Sequence, residues 1–335
     1  MLSPISSMIV PTFFLFIATL VSCTPPSAIK PVVTSVFQFP RGAYLENLAV
    51  GHESILVTRA DTPSLYQIKL PARPHASAYA SLIHHFPNAT GLMGIAEYAP
   101  NTFAVIVGNF SMTKLAPGTW SVWSVQIFEK NQHSTIEKIV DLVEGQFLNG
   151  MTILNKTGAI LIADSLAGCV YHLDVKTGAY EVVLEHESMK ATGAIGLNGI
   201  RTVTTAIETF LYYDNSKTTT VNRVAIDPVS GRAKGEYITL ARGFYADDLA
   251  YDYETGDVWV AGNADNTIFR VNSDGEEIVV ANASSTPSVV APSSLVFGKG
   301  RHSRTLFGTT YAGVAPNGTV TGGNLLAIDV GLEKR

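Results

Sequence analysis

The chain has only two cysteines in 335 residues, Cys23 and Cys169, so no disulfide framework can hold it together. Cys23 ends an N-terminal apolar segment, which leaves Cys169 alone in Gly168-Cys169-Val170-Tyr171, a strand sequence. Its thiol reads as buried and inert rather than as a nucleophile. Charge is also scarce: 15% of residues are Asp, Glu, Lys or Arg, the net charge is −5, and Lys and Arg form no tract. That excludes a nucleic-acid partner, because phosphate binding needs clustered basic side chains. No apolar run reaches the roughly twenty residues that a membrane-crossing helix requires. There is no Gly-x-Ser-x-Gly, no His-Glu-x-x-His, no phosphate-cradling Gly-rich loop and no cysteine pair at zinc spacing. Hydride transfer and nucleotide hydrolysis therefore have no support.

What is present is apolar and repetitive. With 46% apolar residues the chain can bury a sizeable core, and 335 residues suit one closed all-β domain. The apolar run Phe13 to Val21 is followed by Ser22-Cys23-Thr24-Pro25-Pro26, small residues and then proline where a signal peptidase cuts. Residues 1–23 are thus expected to be a signal peptide, with 24–335 a single domain. Sequons at Asn88, Asn109, Asn155, Asn282 and Asn317 agree with a secreted glycoprotein.

Six short segments begin alike: Glu46-Asn47-Leu48, Met93-Gly94-Ile95, Asn149-Gly150-Met151, Asn198-Gly199-Ile200, Asp247-Asp248-Leu249 and Ser293-Ser294-Leu295. A large apolar residue holds third place in each, and the starts recur about every fifty residues, room for some four strands per repeat. Apolar or alternating runs follow each start in the same order, among them Ile55-Leu56-Val57, Phe103 to Val107 and Val258-Trp259-Val260. This predicts an all-β, six-bladed propeller whose first-place residues line the axis. No sixth outer strand follows Val330, but a β-rich run at about 32–39 precedes the first repeat and belongs to none. It is expected to close the ring as the outer strand of the last blade.

Tight Gly-bearing turns such as Lys176-Thr177-Gly178 and Glu254-Thr255-Gly256 collect at one end of the predicted blades. Longer connections, including 108–119, 186–197, 241–246, 284–292 and 311–323, collect at the other, where ligand sites usually lie. Arg41, Phe110, Met112, Trp120, Phe147, Phe244, Tyr245 and Tyr311 fall on that side and are expected to bind an apolar small molecule. Trp120 and Trp123, two apart in one strand, share a side and have a second use as packing between blades.

Glu46, Asn149, Asn198 and Asp247 hold first places, with Asp248 beside Asp247. Carboxylate and amide oxygens together are what a hard cation prefers, so Ca²⁺ or Mg²⁺ is the candidate ion. Asn-Gly and Asp-Asp pairs also satisfy backbone donors in turns, and that simpler use stands beside the metal.

These starts, with Leu148-Asn149-Gly150-Met151, resemble those of the gluconolactonase and paraoxonase superfamily of six-bladed propellers. The resemblance covers nearly the whole mature chain and implies that Glu46, Asn149, Asn198 and Asp247 are metal ligands. It also implies metal-dependent lactone hydrolysis, with Glu46 or Asp247 as base. Phe39-Pro40-Arg41-Gly42, Gly108-Asn109-Phe110-Ser111, Pro117-Gly118-Thr119-Trp120-Ser121-Val122-Trp123 and Phe147-Leu148-Asn149-Gly150-Met151 resemble a narrower group of secreted fungal propellers. Some members are hetero-Diels-Alderases of tropolonic sesquiterpene biosynthesis. That resemblance implies an intermolecular cycloaddition between a tropolone-derived quinone methide and a humulene-type terpene, with no cofactor required and Ca²⁺ at most structural. Such a reaction gains chiefly from holding two reactants together in an apolar cavity. A hydrophobic-ligand carrier is the non-catalytic alternative.

Overall fold

The computed structural model describes residues 31–331, apart from 72–76, 112–113, 129–132, 315–317 and 319. The predicted signal peptide, Met112 and the sequon at Asn317 lie outside the described residues. Within them, short apolar runs separated by Gly-bearing turns pair into six antiparallel four-stranded sheets. Blade 1 comprises Leu45–Val50, Ser54–Arg59, Ser64–Lys69 and Tyr79–His85. Blade 2 comprises Gly91–Ala99, Thr102–Gly108, Trp120–Phe128 and His133–Leu142. Blade 3 follows with Leu148–Ile153, Ile160–Asp164, Cys169–Leu173 and Tyr180–Glu185. Leu197–Thr204, Thr209–Asn215, Thr220–Ile226 and Ala233–Arg242 make blade 4. Ala246–Tyr251, Val258–Gly262, Thr267–Val271 and Glu277–Asn282 make blade 5.

Blade 6 takes strands from both ends of the described chain. Its inner three are Pro292–Phe297, Thr305–Thr310 and Asn324–Asp329, and the fourth is Val32–Gln38. Val32 pairs with Asp329 and Gln38 with Asn324, so the outer edge of the last blade is filled by the predicted N-terminal strand. Inner strands of consecutive blades pack on one another, and the blade 1 inner strand packs on that of blade 6, which closes the ring.

Burial falls from the axis outwards. Every residue of Leu45–Val50 is buried, whereas Ala233–Arg242 is largely exposed. The core lies between blades: Leu161 and Val170 of blade 3 meet Leu197, Leu211 and Tyr213 of blade 4. Truncating one such fully buried Leu to Ala typically costs about 2–5 kcal/mol.

One irregularity recurs in all six blades. The ladder between inner and second strands slips just after Leu45, Leu92, Leu148, Leu197, Ala246 and Pro292. The residues that open the repeats sit in these bulges. A bulge drops a residue from the ladder and re-aims its side chain, often beside a functional site. Here it frees the first-place side chains to turn towards the axis.

The turns separate the faces as the sequence suggested. At the far end from the repeat starts, Asp174, Asp227 and Asp252 each accept a side-chain bond from the amide two residues on. Gly178, Gly231 and Gly256 close those turns at φ of 72°, 72° and 82°, where a β-carbon is disfavoured. The mouth-side connections carry structure that periodicity did not show. Phe110–Ser111 pairs with Lys114–Leu115, Gly313–Val314 pairs with Val320–Thr321, and Glu187–Met189 forms a 3-10 turn. No helix among the described residues is long and apolar enough to cross a membrane.

Candidate functional site at the hub

The bulged strand starts bring polar side chains together where the inner strands meet. Glu46, Asn149, Asn198 and Asp247 are 3%, 3%, 3% and 8% exposed. The Asn198 side-chain amide donates to Asp247 Oδ1 at 2.7 Å and to Ser216 Oγ at 3.0 Å. Asn149 donates to Ser165 Oγ at 3.2 Å, and Asn263 donates to Asp247 Oδ2 at 2.9 Å. The Tyr311 hydroxyl donates to Glu46 Oε2. These bonds spend the amide nitrogens and fix the carboxylates. The carbonyl oxygens of Asn149 and Asn198 accept no hydrogen bond among the described residues.

Electrostatics tie the far sides of the hub. Burial, then the charge of Asp247, holds the Glu46 carboxyl well above the usual carboxylate range, against the opposing bond from Tyr311. Asp247 is pushed up to about 7, first by burial and further by Asp248, while Asn198 and Asn263 pull it down. Burial and the neighbouring Glu46 raise the Tyr311 phenol as well. Two acids and a tyrosine so placed favour a positive charge among them.

A second layer supports the first. Asp248 accepts from Arg201 at 3.1 Å and from Ser294 Oγ, so this carboxylate is held in the wall. Asp214 is fully buried, with no side-chain hydrogen-bond partner among the described residues and the Gly199 backbone amide as the group that favours its charge. Burial and the charges of Asp248 and Asp247 raise its carboxyl well above the ordinary range. Gly199 lies between the two: a β-carbon there would stand 2.4 Å from Asp248 Oδ1 and 2.7 Å from Asp214 Oδ2. Only glycine fits under this part of the hub.

The aromatic residues read as an open binding wall are placed otherwise, and here the expectation is corrected. Phe110 stacks on Trp120 at 5.5 Å, and Phe147 meets both rings edge-on at 5.7 and 5.4 Å. All three are buried in the core that blades 2 and 3 share. Phe244 is buried too, stacked on Phe269 at 4.8 Å. Large rings gain most by leaving water, and the gaps between blades offer that more fully than an open mouth does. Tyr245 and Tyr311 remain partly accessible, and Tyr311 packs against Tyr44 at 5.7 Å. Arg41 is exposed in a turn.

Sequence reasoning missed Ser165, Ser216 and Asn263. They lie 16, 18 and 16 residues after the hub residues they bond, at the ends of second strands. Aligning second-strand ends with repeat starts would have exposed this recurrence.

The donor set suits a hard cation, which takes carboxylate and amide oxygens. Two carboxylates and two uncommitted amide oxygens are such a set. Among the described residues no group of three or more His, Cys, Asp or Glu is arranged for a metal, so the amides are essential to it.

Scans against protein-family models and against curated proteins find no match to this chain. Solved structures do match it. A luciferin-regenerating enzyme aligns with a TM-score of 0.64 and 14% identity over 90% of this chain and 96% of its own. Virginiamycin B lyase from Staphylococcus aureus aligns at 0.55 and 10% identity, over 89% and 99%. Regucalcin from Agrobacterium tumefaciens, described as a calcium-binding protein, aligns at 0.57 and 14%, over 88% and 94%. At such identities the likeness establishes the fold alone. It is a six-bladed propeller fold that enzymes share.

Proposed function

We propose that this protein is an enzyme acting on a small molecule at the hub, and that it hydrolyses a lactone or ester with a divalent cation held by Glu46, Asn149, Asn198 and Asp247. One observation carries the reading. Buried Asp247 is bonded to Asn198 and acts electrostatically on buried Glu46, while Asn149 heads the neighbouring inner strand, and among the described residues the amide oxygens of both asparagines accept no hydrogen bond. A cation held there by these four residues would supply Lewis-acid chemistry, polarising a carbonyl oxygen and lowering the pKa of a water. The chain's own part is to hold and move the proton. Asp247, near 7 without a cation, would give up its proton when one binds, and its two asparagine partners keep its oxygens aligned as ligands. Tyr245 and Tyr311, accessible above the carboxylates, orient the substrate, and the wall of Asp248, Arg201 and Ser294 keeps the strand starts rigid.

The test uses a panel of aliphatic lactones and aryl esters with the purified chain. Hydrolysis is expected to vanish with a chelator and return with Ca²⁺, and Asp247→Asn should lower kcat/KM about 100-fold or more. Turnover indifferent to chelation overturns this reading.

A second reading is the hetero-Diels-Alder cycloaddition of a tropolone-derived quinone methide with a humulene-type terpene. It is supported by the blade motifs that resemble the fungal group and by Tyr44, packed beside Tyr311 at the hub, whose phenol, unlike that of Tyr311, is not bonded to Glu46 and can hydrogen-bond a ketone. The burial of Phe110, Trp120, Phe147 and Phe244 leaves it less apolar wall than the sequence promised. Cycloadduct formation above background that persists in chelator would favour it over hydrolysis. Terpene binding with neither reaction would leave the carrier.

A further inference from the structure

On the face opposite the mouth, the turns of blades 3 and 4 enclose a groove of about 510 Å³. Its walls include Leu154, Ile207, Ile226 and Pro228, with Thr205 and Lys234 among the polar groups. Ile207 stands in a turn and is 91% exposed, more than any other large hydrophobic side chain among the described residues. One wall residue is Asn155, the acceptor of the sequon Asn155-Lys156-Thr157.

The described sequons differ in what their asparagines already do. Asn282 Oδ1 accepts from the Ser285 amide at 3.0 Å and from its hydroxyl at 3.2 Å, and the residue is half-buried at the end of the strand Glu277–Asn282. Asn109 is half-buried on the mouth side, with Thr119 bonded to its backbone. Asn88 is exposed at a φ of 67°, just before the inner strand of blade 2 on the mouth side. Asn155 is exposed, and among the described residues no bond to its side chain competes with modification. Its turn is fixed independently: Gly158 donates to the Leu154 carbonyl at 2.8 Å, and Ala159 donates to Thr157 Oγ1 at 3.2 Å.

We propose that Asn155 carries an N-linked glycan whose first sugars occupy the groove between blades 3 and 4 and cover Ile207. Sugar rings have apolar C–H faces and hydroxyl rims, and this groove offers aliphatic walls beside threonine, lysine and glutamate groups. A glycan here shields an aliphatic side chain that otherwise meets water. It also leaves the hub free, since Asn155 lies six residues beyond Asn149, ~20 Å along an extended strand. The inference is independent of the reaction at the hub.

The experiment expresses the full chain in a eukaryotic secretory host and maps its glycopeptides. Enzymatic glycan release should convert Asn155 to Asp in most of the recovered protein. Hydroxyl-radical footprinting, with and without release, should show oxidation of Ile207 rising several-fold on release. An Asn155→Gln variant should match the released protein at Ile207, while Asn88→Gln should leave Ile207 protected. Recovery of the chain unmodified at Asn155, from whichever compartment, overturns the proposal. So does a modified Asn155 whose release leaves Ile207 oxidation unchanged, because the sugars then lie away from the groove or a second protein covers it.

Discussion

Asp247 receives two amide donors and the charge of two acidic neighbours on one carboxylate, so single substitutions around it have separable effects. Asn263→Ala removes the donor to Oδ2, a bond to a charged group worth about 1.5–3 kcal/mol. Losing a donor to the ionised form raises the Asp247 pKa further. The acidic limb of the kcat/KM profile should move to higher pH, with activity at neutral pH down about tenfold; a merely structural role would lower Tm and leave the limb in place. Gly199→Ala tests the second layer, since its methyl would meet Asp248 Cα at 2.5 Å. Overpacking of this kind costs about 1–3 kcal/mol, and thermal denaturation should show it. Glu46, Asn149, Asn198 and Asp247 were legible in the sequence because repeat starts mark the axis. The burial of Trp120 and Phe147 was not, because aromatic type alone does not tell a mouth from an inter-blade gap.

At the scale of elements, Val32–Gln38 is the strand that makes the ring covalently discontinuous yet closed by hydrogen bonds. It also brings Val36 and Phe37 against the core shared by blades 6 and 1 and Val33 against that of blades 5 and 6. Deleting residues 31–39 would bare the edge of Asn324–Asp329 and expose those apolar groups. The truncated chain should melt several degrees lower and aggregate on heating; unchanged melting would show that closure contributes nothing. Each strand was legible because apolar runs and Gly-bearing turns are local signals. The ribbons at Phe110–Ser111 and Gly313–Val314 were not, being only two residues wide and held by the loops around them.

For the whole molecule, the hub stores an imbalance of charge. Glu46, Asp214, Asp247 and Asp248 are all raised by burial, and Arg201 offsets the charge of Asp248 and Asp214. A carboxyl raised on folding lends stability that is complete below its unfolded pKa, near 4, and is lost as pH rises through its folded value. With chelator present, Tm should therefore fall by several degrees between pH 5 and pH 8, with the Asp247 contribution steep below its value of about 7 and levelling off above it. Ca²⁺ at millimolar concentration should close most of that gap, as expected of a cation that binds the ionised hub on the proposed reading. Asp214→Asn should flatten the slope in chelator without abolishing the Ca²⁺ response. A Tm that rises over this interval, or that ignores the cation, would contradict the assignment.

The sequence by itself determined the six repeats, the faces of the blades, the closing strand and the four residues that head the axis. Those follow from alternation, turn chemistry and spacing, which act over a few residues at a time. Only the tertiary structure decided which aromatic rings are buried between blades and that Tyr311 binds Glu46 across 265 residues. It alone showed that the buried Asp214 lies beneath Gly199 with no side-chain hydrogen-bond partner among the described residues. Such facts depend on how neighbouring sheets twist and meet, and no local pattern encodes the distance between side chains from different blades.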